Sequence, residues 1–373
     1  MKCSKYGANG PEVSSIGFGG MRFPDHDNWD AGAAVVKAAY DAGINYFDTA
    51  PGYGKSEDIY GTAFKEMKKT RGEKPFYVST KTMAKDAEGM RRNLENSLER
   101  MGLDYIDFYH VWCVLTPEDY ANRKNKGVLK AMEKFRDEGL IKHICVSSHM
   151  SGNEITEMVN DYPFDGLLAG YCAMNFAYRE AGIAAAAERG MGVVVMNPLG
   201  GGIIPEHADR FSFVKTREEE SVVEGALRFL INDPRITVAL VGFSTEDQVK
   251  EAVSAVEGMR PIPEKEVDRI RRSLSDSFDA MCTSCRYCDD CPEGIPVPKY
   301  MEAYNHYILS GKLRQALNRL RFHWGISLED DYLDRCTECG QCEERCTQKL
   351  PIRERLKEIA GEVEAARKEA AKK

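Results

Sequence analysis

Between Cys282 and Cys346, eight of the chain's 12 cysteines fall into two short runs. The first is Cys282, Cys285, Cys288 and Cys291, followed directly by Pro292; the second is Cys336, Cys339, Cys342 and Cys346. A looping backbone returns every third side chain to the same side, so the thiols of a run can converge on one small object. That demand constrains this part of the chain more tightly than any hydrophobic pattern in it.

The second run has the C-x2-C-x2-C-x3-C spacing of iron–sulfur ligation, with Thr347 where bacterial examples carry proline; the first shortens the last gap but keeps the proline. Zinc ribbons also use CxxC pairs, but as two well-separated pairs rather than cysteines repeating at one interval. A disulfide framework needs an oxidising compartment, and Met1 to Gly10 lacks the apolar segment of a secretory signal. Two [4Fe–4S] clusters are therefore expected, with all eight cysteines as ligands. Where two clusters share a domain, the fourth cysteine of a run serves the other cluster. On that pattern Cys291 joins Cys336, Cys339 and Cys342, while Cys346 joins Cys282, Cys285 and Cys288. The other four, Cys3, Cys113, Cys145 and Cys172, are expected to be packed thiols.

The remaining chain is long enough for a second, larger domain. Its net charge of −8 argues against a nucleic-acid partner bound through phosphate neutralisation. No apolar run approaches a membrane span, so a soluble, cytoplasmic protein without a membrane partner is expected. Oligomeric state is not legible from these features.

Short apolar runs alternate with amphipathic helical segments through the first 260 or so residues. Strands are predicted at 16–19, 46–48, 76–79, 106–110, 143–147, 166–170, 192–196 and 238–242. Helical patterns lie at 31–42, 90–101, 128–138, 181–189 and 219–231, and Gly43, Gly139 and Gly190 are placed to end helices in the left-handed conformation. Eight such alternations predict a (β/α)8 TIM barrel. A doubly wound sheet would carry a GxGxxG turn after its first strand, and GFGGMRF at residues 17–23 is not one. The Pro-rich stretch 258–263 marks a boundary, giving a barrel at 1–263 and a small helical domain at 264–373. After Pro351 the chain is rich in Ala, Glu, Lys and Arg and is expected to be an exposed helix fraying at its end.

In a barrel the chemistry gathers where strands end. The predicted ends offer Asp48, Tyr53 five residues on, Lys81 and His110. Alone, each has an ordinary structural role: a cap, a loop residue, a core histidine. Together, at three successive strand ends, they form a catalytic set. The segments YFDTAPGYGKSE, VSTK and DFYHVW resemble the aldo-keto reductases, over roughly residues 7–263. That resemblance implies hydride transfer between NAD(H) or NADP(H) and a small-molecule carbonyl. Tyr53 would be the general acid, Asp48 and Lys81 its tuning pair, and His110 the residue orienting the carbonyl oxygen. Bringing a phenol pKa from near 10 toward 7 requires about 4 kcal/mol, much of which a neighbouring ammonium can provide. Trp112, Phe23 and Tyr178 are expected to wall the substrate pocket.

The same resemblance places Gly20 and Met21 at the nicotinamide end, and Ser147 and Ser148 at the carboxamide, where the family has Ser-Asn. It puts Tyr171 where a glutamine is usual, followed by Asn175, and Met196 where a tyrosine often stacks on the ring. Asn197, Leu199 and Gly200 would lie along the diphosphate. Gly242, Ser244, Gln248 and Glu251 match the adenosine-binding loop and helix, with Gly242 and Gln248 where NADPH-binding members carry Lys and Arg. The missing cations favour NADH, although Lys250 lies one turn on.

Joined to a two-cluster module, the chain resembles a ferredoxin-like subgroup of these reductases in anaerobes. Hydride carries two electrons and a cluster accepts one, a mismatch that a flavin commonly bridges; no flavin signature is legible. The clusters therefore exchange electrons directly, work through a redox partner protein, or serve structure and docking. A second reading follows from the substitutions at Ser148, Tyr171 and Met196: an electron-transfer or docking protein whose barrel has lost nicotinamide chemistry.

Overall fold

The computed structural model describes residues 1–173, 176–257, 261–274, 281–282, 285–322 and 324–370. It divides into two compact units, Met1–Ser273 and Leu274–Lys373. The division falls beyond Pro263, because the helix Glu264–Leu274 is tied to the first unit. Its Arg269 donates to the carbonyls of Phe213 and Lys215, at 3.0 and 3.1 Å. Of the proline-rich boundary stretch, residues 258–260 lie outside the described residues.

The first unit begins with an antiparallel hairpin, β1 (Cys3–Lys5) and β2 (Glu12–Ser14). Eight parallel strands follow: β3 (Ile16–Gly19), β4 (Tyr46–Asp48), β5 (Tyr77–Thr82), β6 (Ile106–Val114), β7 (Ile141–Ser148), β8 (Gly166–Gly170), β9 (Gly192–Met196) and β10 (Val238–Val241). They close into a barrel in chain order, with β10 paired to both β9 and β3. This is the expected (β/α)8 architecture. Strands covered on both faces read as continuous apolar runs, and β3, β4, β6, β8 and β10 are buried at every residue. Ser and Thr caps start several outer helices: Thr116 accepts from Asp119 N–H, and Ser151 and Ser221 form capping boxes with Glu154 and Glu224.

Side chains alternate along a strand, so one residue in two faces the barrel axis. Tyr46, Phe108, Cys145, Leu168, Val194, Val238 and Leu240 meet there, and Tyr6 and Val13 of the hairpin region join them. Tyr6 plugs the end at which the strands begin. Its ring lies 4.0 Å from that of Phe108 and its hydroxyl 3.7 Å from Cys145 Sγ. A Cβ on Gly166 would stand 2.0 Å from the Tyr6 hydroxyl, and one on Gly192 2.4 Å from its ring. Glycine is thus a packing requirement where β8 and β9 begin. Neither the hairpin nor the plug was expected from local pattern. Cys113, Cys145 and Cys172 are buried, as packed thiols should be, whereas Cys3 is exposed on the hairpin.

In the second unit the helices Val297–Ser310, Leu313–Phe322 and Ile352–Ala370 enclose a core that includes Tyr300, Met301, Leu317 and Leu320. The last helix is not the exposed segment expected, and residues 371–373, where fraying was expected, lie outside the described residues. Ile352, Leu356, Ile359, Val363 and Ala366 form a stripe at helical spacing and pack into this core. Glu302 anchors the unit: it accepts from Arg319 at 2.6 Å and from Trp324 Nε1 at 2.7 Å. Among the described residues, no helix is long and apolar enough to cross a membrane.

Candidate active site and cysteine cradles

Register brings the predicted catalytic residues together. Asp48 is opposite Ser79 on the neighbouring strand, and Lys81 is opposite His110 on the next. Asp48, Ser79, Lys81 and His110 are all fully buried. Lys81 Nζ donates to Asp48 Oδ1 and Oδ2 at 2.5 and 2.6 Å and to the Thr49 carbonyl at 2.8 Å. Ser79 Oγ donates to Asp48 Oδ1 at 2.7 Å. Burial pushes the Asp48 carboxyl up and the Lys81 ammonium down, and each opposes the other's shift.

Tyr53 lies on the loop after β4, half-buried, with Lys81 Nζ 5.2 Å from its ring centroid and Trp112 packed edge-on at 5.4 Å. Burial, reinforced by Asp48 and Cys113, pushes its hydroxyl well above the usual phenol range. This departs from the expected tuning. With its three protons directed at Asp48 and Thr49, Lys81 has no N–H left for the tyrosine and reaches it only as a charge beside the ring. Tyr53 therefore keeps its proton. His110 has both ring nitrogens buried without a hydrogen-bond partner among the described residues. Burial, and then the Lys81 charge, holds its pKa well below the ordinary imidazole value, against the opposing Val146 backbone. It is a neutral ring.

Beside this set, β6 departs from regular pairing: its register to β7 shifts between Val111 and Val114, and Cys113 adopts φ 62°. Such a bulge redirects side chains at a barrel rim, and here it accompanies Trp112 at Tyr53. Trp112, expected to wall the pocket, packs against Tyr53. Phe23, expected there too, instead packs its ring into the core at 5.5 Å from both Phe18 and Tyr60. The Tyr178 side chain, and Asn175 altogether, lie outside the described residues.

The residues expected around a nicotinamide fall at the same strand ends. Ser147 and Ser148 close β7; Ser147 Oγ is buried without a partner among the described residues. Ser148 Oγ donates to the Val114 carbonyl at 3.1 Å and accepts from Met150 N–H at 3.2 Å, so it serves the local backbone. Tyr171 follows β8, its N–H directed at the Met196 carbonyl at 3.3 Å, and Met196 closes β9. Asn197 then turns at φ 58°, and Gly200, Gly201 and Gly202 have φ of 62°, 73° and 107°. Leu199 caps that glycine turn. The angles at 200–202 suit glycine and leave that turn without side chains, as close approach by a large anion requires. The unpartnered Ser147 hydroxyl and the bare loop fit a nicotinamide nucleotide.

Gly20 has a packing reason of its own: a Cβ there would stand 2.2 Å from Ser56 Oγ and 2.6 Å from Tyr60. Met21 is exposed beside it. Ser244 Oγ donates to the Arg22 carbonyl at 3.1 Å, and Ser244 N–H to Gln248 Oε1 at 2.8 Å. Glu251 accepts from Ser221 Oγ at 2.9 Å, and Lys250 pairs with Asp247 at 2.9 Å. A cation that the sequence reading overlooked is also here. The stem of Arg22 packs over Gly242, 2.8 Å from where a Cβ would be. Some 220 residues separate the two, so only the closure of β10 onto β3 reveals the contact.

In the second unit the cysteines sort into two groups that cross the runs. Cys291, Cys336, Cys339 and Cys342 line one small cavity, which Cys288 also lines. Cys288 itself interacts with Cys282, Cys285 and Cys346, and Cys346 with Cys285. Burial is the largest influence on both thiols, pushing them up. Backbone fixes the second group: Asn305 bonds both the N–H and the carbonyl of Cys282 at 2.8 Å, and Leu350 N–H reaches Cys346 Sγ at 3.4 Å. Thr347 Oγ1 lies 3.3 Å from Cys285 Sγ. Four soft sulfurs around each centre fit an iron–sulfur cluster.

Comparison with known proteins agrees with both halves. Residues 15–275 match the aldo/keto reductase family model and residues 281–350 a 4Fe-4S dicluster domain. An L-galactose dehydrogenase of Arabidopsis thaliana is 26% identical over 286 residues, covering 67% of this chain and 86% of its own. A D-threo-aldose 1-dehydrogenase of a Pseudomonas species is 26% identical over 302 residues, with 68% and 88% covered. An aldo-keto reductase of Bacillus halodurans, solved in its holo form, superposes with a TM-score of 0.64 at 24% identity, over 73% of this chain and 96% of that one. That likeness speaks to the fold.

Proposed function

The chain belongs to the aldo/keto reductase family, and from that premise we propose that its barrel transfers hydride between a nicotinamide nucleotide and a small-molecule carbonyl, with Tyr53 as general acid. The observation that carries this reading is one constellation: Lys81 is bonded to Asp48 and lies 5.2 Å from the Tyr53 ring, beside a buried His110 whose two nitrogens have no hydrogen-bond partner among the described residues. The nucleotide would supply the hydride. Ser147 would hold its carboxamide, and Asn197 to Gly200 would pass along its diphosphate. Tyr53, kept protonated by burial, donates its proton to the oxygen of the reduced carbonyl. Neutral His110 donates an N–H to that same oxygen and orients it before transfer. Lys81 moderates the charge that Tyr53 acquires after giving up its proton, and Asp48 keeps Lys81 in place. Trp112 excludes water from one side. Neither Lys nor Arg stands at 242 or 248, which favours NADH, whereas Arg22 over Gly242 is a cation that a 2′-phosphate could use, so NADH and NADPH are both tested.

Cys291, Cys336, Cys339 and Cys342 would hold one [4Fe–4S] cluster, and Cys282, Cys285, Cys288 and Cys346 the other. These clusters would exchange single electrons with a redox partner protein, or take the two electrons of a hydride one per cluster, or serve structure and docking.

The test is Tyr53→Phe in anaerobically prepared, full-length protein. Loss of carbonyl reduction with unchanged NADH binding, followed by fluorescence, is expected. A fully active variant overturns the role of Tyr53. If wild-type protein binds neither NADH nor NADPH, the reading of the barrel as an electron-transfer or docking scaffold, which Ser148, Tyr171 and Met196 favour, replaces this one.

A further inference from the structure

We propose that Arg355 sets the two cluster sites apart, giving the cluster on Cys282, Cys285, Cys288 and Cys346 the higher reduction potential of the pair. The inference rests on the reading that the two cysteine groups hold [4Fe–4S] clusters.

Arg355 stands in the first turn of the helix Ile352–Ala370 and is only 4% exposed. Its guanidinium lies 4.6 Å over the ring of Tyr304. The residue after Tyr304 is Asn305, whose side chain clamps the backbone of Cys282. On the other side, Leu350, five residues before Arg355, bonds Cys346 Sγ. The cation is thereby lodged among the elements that hold this cysteine group, within electrostatic reach of both Cys282 and Cys346. An arginine keeps its charge inside proteins. Among the described residues, Glu358, which accepts from Tyr304 at 2.6 Å, is an anion that offsets part of that charge.

The other group has cations of a different kind. Arg345 and Arg353 border its cavity. Both are only half-buried and both are matched: Arg345 to Asp290 at 3.2 Å, Arg353 to Glu343 at 2.7 Å. Solvent screens such pairs and their charges nearly cancel. A buried cation is screened far less.

The consequence follows from charge balance. Reduction adds one electron, and no bond is made or broken, so the cluster becomes more negative by one charge. A fixed positive charge nearby stabilises the reduced state and raises the potential, and net charge around the sulfurs is among the features that set cluster potentials. The first electron from a low-potential one-electron donor would therefore settle on the cluster beside Arg355. The second cluster would fill afterwards.

The experiment is a dithionite titration of the anaerobic full-length protein, followed by electron paramagnetic resonance, with iron and sulfide measured in every sample. Cys346→Ser and Cys342→Ser assign the two signals to their ligand groups. In Arg355→Gln, the signal missing from Cys346→Ser should move to lower potential while the other stays in place; Arg355→Lys should remain near wild type. If Arg355→Gln assembles incompletely, Arg355→Met, of similar length and without charge, repeats the measurement. With both clusters present, an unmoved signal, or movement of the one missing from Cys342→Ser, overturns the proposal. Wild-type protein without iron and sulfide would instead overturn the cluster reading beneath it.

Discussion

Lys81 grips Asp48 through both carboxylate oxygens, at 2.5 and 2.6 Å, in a site where neither side chain is more than 2% exposed. Two charges taken this far from water depend on each other. Breaking such a pair from one side leaves a buried, uncompensated charge and costs about 3–5 kcal/mol. Asp48→Asn and Lys81→Met should each lower stability by that order in urea unfolding. The double variant should lose clearly less than the sum, because no charge is stranded. Strict additivity would show that the pair is not coupled.

His110 is held neutral by burial and by Lys81, its pKa well below the usual imidazole value. The sign follows directly: protonation would begin only well below pH 6.5, so the ring stays a neutral donor at pH 6.5 and above. The rate of carbonyl reduction should show no acid limb near pH 6.5, and His110→Ala should lower kcat/KM by about a hundredfold. A limb near that pH in wild type, absent from the variant, would contradict the assignment.

Gly166 faces Tyr6 so closely that an added Cβ would lie 2.0 Å from the hydroxyl. Gly166→Ala should destabilise the barrel by about 1–3 kcal/mol, the usual range for overpacking. Adding Tyr6→Phe removes the nearest atom and should restore part of the loss, which thermal unfolding of the three proteins would measure. An alanine variant as stable as wild type would mean that the plug moves freely.

Glu302 offers a pH test in the second unit. Burial alone would raise its pKa, but hydrogen bonds from His306, Arg319 and Trp324 outweigh it and hold the carboxyl at about 2. A depressed carboxyl pKa stabilises the fold above the unfolded value, near 4.3, and the benefit fades as pH falls from there toward 2. Removing it with Glu302→Gln should cost about 3 kcal/mol at pH 7, with the gap to wild type narrowing below pH 4.5. Urea unfolding followed by circular dichroism, read as the difference between the two proteins, cancels acid effects common to both. A gap that does not change with pH would exclude this linkage.

Much of the molecule was legible in one dimension. Alternating apolar runs and amphipathic segments placed all eight barrel strands, because strand and helix periods are local properties of the chain. Asp48, Tyr53, Lys81 and His110 stood out because a barrel gathers its chemistry at strand ends. The two cysteine runs announced a dicluster domain because ligand spacing is itself a local pattern. What no periodicity carries is which distant group a side chain meets. Only the closed barrel shows that Lys81 has committed every N–H before Tyr53 comes near, that Arg22 packs over Gly242, and that Tyr6 dictates glycine at 166 and 192. The tail beyond Pro351 makes the same point: its apolar stripe was present in the sequence, but the core it fills, and the place of Arg355 over Tyr304, exist only once the second unit is folded. Local pattern determines which elements form and which face is buried; contact and electrostatics depend on what those faces are buried against.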